Sequence, residues 1–161
     1  MNLTVLFRWL HILSGAAWLG EVVTINFVIL PSLVSMEAAR RPRFIRNIFP
    51  RLFRLASVLS LTSILSGLVM TYLVSGWQDL SIFFTTRWGL AILSGGGLGL
   101  ALTAFHFFVE SRLEPLASTL DEGVSQKELA GVLRFLKIVP RVGFAVMIII
   151  FLLMMYAARG L

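Results

Sequence analysis

Apolar residues along this chain fall into four long stretches, separated by shorter polar and arginine-rich ones. A membrane-spanning helix needs about 20 largely apolar residues. The stretches at 4–30, 55–76, 88–109 and 141–158 meet that requirement. The first is predicted to stop at Pro31, because a proline inside a helix removes a hydrogen bond and crowds the preceding turn. The second follows Pro50 and stops at Gly76-Trp77-Gln78-Asp79. The third opens at Arg87-Trp88 and closes at Glu110-Ser111-Arg112, and Pro140 precedes the fourth. The pattern predicts an all-α fold: an integral membrane, four-helix antiparallel bundle forming a single transmembrane domain over 1–161. Residues 31–54 and 110–140 are then cytoplasmic loops. The first stretch has no basic start and no A-x-A site after it, so it reads as a retained span.

The second of those loops carries a helix signal of its own. Ser125-Gln126-Lys127-Glu128 has the spacing of a capping box. Leu129, Val132, Leu133 and Leu136 then recur at helical spacing beside Lys127, Arg134 and Lys137. This predicts a short amphipathic helix at the cytoplasmic surface, standing alone or running into the fourth span. A solvated loop helix without membrane contact fits the same pattern.

The basic residues set the orientation. Arg40, Arg41, Arg43, Arg46, Arg51 and Arg54 lie in the first of these loops, and Arg112, Lys127, Arg134, Lys137 and Arg141 in or beside the second. Only Arg8, Arg87 and Arg159 fall on the opposite side, eleven against three. By the positive-inside rule both termini face away from the cytoplasm, as in a bacterial-type inner membrane protein.

Composition agrees. Of the 161 residues, 58% are apolar, against about 45–50% in soluble domains, and mean hydropathy is +0.90. The net charge of +6 sits between apolar stretches, which argues for a bilayer and against nucleic acid as the partner. There is no cysteine, so imidazole and thioether are the softest ligands available. No nucleophilic triad, phosphate loop or acid–base pair stands out, and an autonomous enzyme is not the first expectation.

Candidate chemistry centres on the two histidines, both inside apolar stretches. Ionisable residues are rare there, and each is a functional-site hypothesis. Arg8, His11, Gly15 and Trp18 share one face of the first helix. Ala56, Ser60, Ser63, Gly67 and Met70 make a stripe of mostly small residues on the second. Trp88, Gly95, Gly99 and His106 share a face of the third, and Gly143, Met147 and Met154 line up on the fourth. The glycines suit either close helix packing or a notch for a flat cofactor. In the latter case His11 is an axial ligand of a b-type haem, with Met70 as second ligand and Trp18, Gly95 and Gly99 around it. Arg8 and Arg87, near the outer surface, then pair with the propionates, or simply reach the interface. His11, Met70, Met154 and Met155 also offer imidazole and thioether ligands to copper. His11 as a purely structural, hydrogen-bonded histidine remains open. His106 lies toward the opposite end, so the two histidines are not expected on one iron. Glu21, in the inner half of the first span, needs a partner, and His106, Arg54 and Arg51 are the candidates. That group is either a structural pair, a proton relay or a second polar site.

His11-Ile-Leu-Ser-Gly-Ala-Ala-Trp18-Leu-Gly20 resembles the first helix of copper-resistance protein D (CopD) domains and HemJ-type protoporphyrinogen oxidases, where a histidine precedes a Trp-x-Gly group. Arg51-Leu-Phe-Arg54-Leu-Ala-Ser, followed by Leu65-Ser-Gly67, is similar to their second helix, and Phe105-His106-Phe107 to the HemJ-like third helix. The resemblance implies a four-helix inner-membrane bundle. In the HemJ branch it implies haem held through His11, and in the copper branch copper uptake or tolerance.

Three function classes follow as expectations. The first is a haem b protein for electron transfer or redox chemistry, working with a redox partner. The second is a copper transport or homeostasis protein using His11 and methionines. The third is a cofactor-free subunit of a larger membrane complex or homo-oligomer, packing through its glycine faces.

Overall fold

The computed structural model describes residues 2–119 and 126–159, all of it helices and short turns. Helix α1 (Leu3–Thr24) runs through a π-helical turn, Ile25–Ile29, into α2 (Leu30–Ser35). A 3₁₀ turn, Ala38–Arg40, leads into α3 (Arg41–Ser75), followed by the short α4 (Ile82–Thr85), α5 (Arg87–Thr119) and α6 (Gln126–Arg159). The four long units are each long and apolar enough to cross a membrane. α1 packs on α3, α3 on α5 and α5 on α6, and α6 closes the bundle against α1. This is the all-α bundle that the apolar pattern predicts.

The ends of the elements differ from that expectation. Pro31 does not stop the first helix, which continues as α2 to Ser35. Pro50, Pro115 and Pro140 lie inside α3, α5 and α6. The described residues of 31–54 and 110–140 are therefore largely helical extensions rather than loops. At 1.5 Å per residue, the 35 residues of α3 reach about 52 Å, well beyond an apolar layer of about 30 Å. The physical reason is that apolar residues keep their helical spacing past each proline. Leu30, Leu33, Ile45, Phe49, Phe53, Val109, Leu113 and Leu136 form a core at the arginine-rich end. One lost backbone bond per proline is a small cost beside that burial. The amphipathic segment is the first part of α6, and Leu129, Val132 and Leu133 pack on this same core. Its apolar face is thus covered by the protein. Ser125 of the capping box lies outside the described residues.

A second core, Trp18, Ala56, Leu102 and Met147, holds the four helices together nearer the middle. Small side chains allow the approach: Ser60 is fully buried, and Ser63 and Ser66 nearly so. The Ser60 and Ser66 hydroxyls bond within the helix, Ser60 Oγ to the Ser57 carbonyl (3.2 Å) and Ser66 Oγ to that of Ser63 (3.1 Å). Outward faces carry Leu13, Leu65, Leu100 and Leu152, more than half exposed, as lipid contact requires.

Two local features fix the helices relative to one another. The π-turn widens the helix just before Pro31 and draws a backbone N–H away from its usual acceptor. The Asn26 amide then donates to the Val22 carbonyl (2.8 Å) and across the bundle to that of Pro140 (2.9 Å). Phe27 and Phe144 meet edge to face beside it. At the other end, α3 stops at Gly76, whose left-handed φ of 62° suits glycine. The α4 backbone lies directly over Gly89 of α5, leaving no room there for a Cβ. Thr86 caps α5, its hydroxyl accepting from the Gly89 N–H at 2.9 Å.

Candidate functional site

Two centres carry the polar chemistry of the bundle, one at each level of α3. The first is His11. Its Nδ1 lies 2.8 Å from the carbonyl oxygen of Ser63. That carbonyl accepts, so Nδ1 carries the hydrogen and, in the neutral ring, Nε2 keeps its lone pair. The ring rests on Gly67, where a Cβ would stand 2.9 Å from both Cε1 and Nδ1. On the α1 side Gly15 faces the Ser63 hydroxyl. Histidines that ligate metals are commonly oriented in this way, through a hydrogen bond donated by the other ring nitrogen.

The other residues expected around His11 divide into three groups. Met70 lies one turn beyond Gly67 on the same stripe of α3 and is half-buried. Arg8, one turn before His11, and Arg87, at the start of α5, are exposed. Gly95 and Gly99 do not form an open wall. The Met154 methyl fills the hollow at Gly95, and Ile64 lies 3.1 Å from where a Cβ of Gly99 would be. The glycine pair is thus a packing surface for α6 and α3, the commoner use of such spacing. Met154 is engaged between α5 and α6, whereas His11 lies between α1 and α3. Met155 is exposed. Trp18 is buried two turns away, in the central core. Among the described residues no group of three or more His, Cys, Asp or Glu side chains could hold a metal ion.

The second centre is a cavity of about 90 Å³ between all four long helices. Trp18, Glu21, Phe53, His106, Pro140 and Gly143 are among its lining residues. Glu21 is 7% exposed, and neither of its carboxyl oxygens has a hydrogen-bond partner among the described residues. Arg51 and Arg54, expected as partners, are exposed and do not line the cavity. Helical phase explains this: Phe53 and Ala56 take the inward positions of α3 and leave the arginines outside. His106 does line it, so only one of the three expected partners shares the cavity with Glu21.

His106 also belongs to a hydrogen-bonded chain. Its Nε2 is 3.0 Å from the Ser57 hydroxyl, which donates to Glu110 Oε2 at 2.9 Å. Nε2 and Oε2 are themselves 3.6 Å apart. The hydroxyl thus links imidazole to carboxylate. This is not a hydrolytic triad, where the acid orients the far ring nitrogen. The i, i+4 spacing of His106 and Glu110 is legible in the sequence, but Ser57, which completes the group from another helix, is not. His11 and His106 address α3 at Ser63 and Ser57, six residues or about 9 Å apart along the axis. They belong to separate centres, as their depths predict.

No protein-family model, curated protein or solved structure matches this chain.

Proposed function

We propose that this chain is a multi-pass membrane protein that holds a haem b through His11 and serves electron transfer. The observation that supports it is the bond from His11 Nδ1 to the Ser63 carbonyl. It leaves Nε2 as a directed lone pair, with no hydrogen bond among the described residues. The donor set fits an axial ligand, while the filled hollows at Gly95 and Gly99 do not fit a cofactor wall. A haem held there supplies a one-electron iron couple. The chain's own part is to fix the imidazole, through Ser63 and the space left by Gly67. Arg8 offers a cation near the same face for acidic substituents, and Met70 is the nearest thioether on the α3 stripe.

A reduced-minus-oxidised visible spectrum of detergent-purified protein, beside His11→Ala, tests the reading. Soret and α bands lost in the variant support it. Protein from haem-replete cells that lacks those bands overturns it. Metal analysis of that sample then separates a copper-handling protein from a cofactor-free subunit of a larger complex.

The arginine distribution supports an inner-membrane orientation with both termini on the non-cytoplasmic side. Because the chain lacks cysteine, single cysteines at Gln78 and Ser35 give a clean test. Impermeant maleimide on intact cells should label the first and spare the second, and the reverse pattern inverts the topology.

A further inference from the structure

We propose that Glu21 is a proton-accepting site in the centre of the bundle, reached from the arginine-rich end through Glu110, Ser57 and His106. The inference is independent of what His11 holds.

Three observations carry it. Glu21 is buried in a cavity with both carboxyl oxygens unpartnered. An ionised carboxylate in such a place is costly, and taking up a proton removes the charge. His106 lines that cavity and is also the inner end of the Ser57–Glu110 chain. Glu110, four residues further along α5, is partly exposed, its side chain retaining 19% of its surface. The chain therefore runs from a partly exposed acid to an imidazole on the cavity that holds Glu21. A cavity of about 90 Å³ has room for water between imidazole and carboxylate.

The transfer balances as a proton relay. A proton arriving on Glu110 passes to the Ser57 oxygen as the hydroxyl proton moves to His106 Nε2. Glu110 is then a carboxylate and His106 an imidazolium. The imidazolium releases the proton on its Nδ1 into the cavity, and the Glu21 carboxylate takes it. Rotation of the hydroxyl and return of the imidazole tautomer reset the chain. No redox partner is needed. Of the cavity-lining residues, only Glu21 on α1 and His106 on α5 titrate. The lining residues of α3 (Phe53, Ala56) and of α6 (Val139, Pro140, Gly143) do not.

Infrared spectroscopy of the full chain in lipid nanodiscs tests this. A carboxylic acid C=O band present at neutral pH should disappear in Glu21→Gln. On transfer to D₂O that band should shift rapidly in the wild type. In Ser57→Ala the shift should slow by on the order of tenfold or more, the effect of raising one barrier by little more than 1 kcal/mol. Ser57→Thr, which keeps the hydroxyl, should restore the wild-type rate. Glu110→Gln provides a second interruption if Ser57→Ala alters the fold. Absence of a band removed by Glu21→Gln overturns the proposal, as does exchange equally fast in Ser57→Ala and Glu110→Gln.

Discussion

Gly67 lies so close to the ring of His11 that a single added carbon would stand 2.9 Å from two ring atoms. The contact comes at a point where α1 and α3 are drawn together by the bond from His11 to Ser63. The absence of a side chain at position 67 is thus part of how the imidazole is held.

Gly67→Ala should push the ring off the Ser63 carbonyl. Overpacking of this kind costs about 1–3 kcal/mol, more than the roughly 1 kcal/mol a helical alanine gains over glycine. Thermal denaturation should show a lower midpoint, and any His11-dependent absorption should fall while the far-ultraviolet helical signal stays. Gly15→Ala, which meets Ser63 Oγ only at an ordinary 3.4 Å, should leave the absorption nearly unchanged and not lower the midpoint. Equal losses in the two variants would refute the role given to Gly67.

Gly89 presents a harder case, because its neighbours are the backbone of Ile82 and Phe83. Backbone cannot swing aside as a flexible side chain does. Gly89→Ala should displace α4, separate the Phe83 and Trp88 rings, now 5.8 Å apart, and lower the melting midpoint more than Gly67→Ala. Tryptophan fluorescence should report the separation. Gly96→Ala and Gly97→Ala, with nothing within 4 Å of the added carbon, should melt no lower than the parent, since helical alanine is favoured over glycine.

Asn26 joins two irregular points, the π-turn of the first helix and the Pro140 carbonyl of the last. Asn26→Leu removes both of these bonds, at a cost of about 1 kcal/mol each. Hydrogen exchange should quicken at the π-turn and around Pro140 but not near Gly89. Exchange unchanged at both sites would mean that the bridge contributes nothing.

Asp79, in the turn before α4, accepts hydrogen bonds from Ser81, with the amide N–H at 2.9 Å. These bonds favour the ionised form and hold its pKa below the ordinary aspartate value. A depressed folded-state pKa gives stabilisation that is present above the unfolded value and lost as pH falls through the folded one. The Ser81 amide resonance should therefore titrate with a midpoint below that of an unstructured aspartate. A midpoint at or above the unstructured value would show that the bond is not kept in solution.

How much of this could be read without the fold depends on which interaction is asked about. The four spans were legible because hydropathy over about 20 residues is a local property that a bilayer enforces. The separation of His11 from His106 was legible too, since depth along a helix follows from residue number. Their partners were not. Ser63 offers a backbone carbonyl, which leaves no mark in the sequence, and Ser57 is one serine among several on α3. Pro31 and Pro50 misled for a related reason. A proline's local cost is visible, whereas the core of Leu33, Ile45, Phe49 and Leu136 that outweighs it forms only between helices. The use of Gly95 and Gly99 likewise depended on which side chains face them. Sequence alone determined which stretches are long and apolar enough to cross a membrane and how far apart along them the polar groups lie. Tertiary structure decided which of those groups meet, because helix rotation and crossing are set by packing across the bundle.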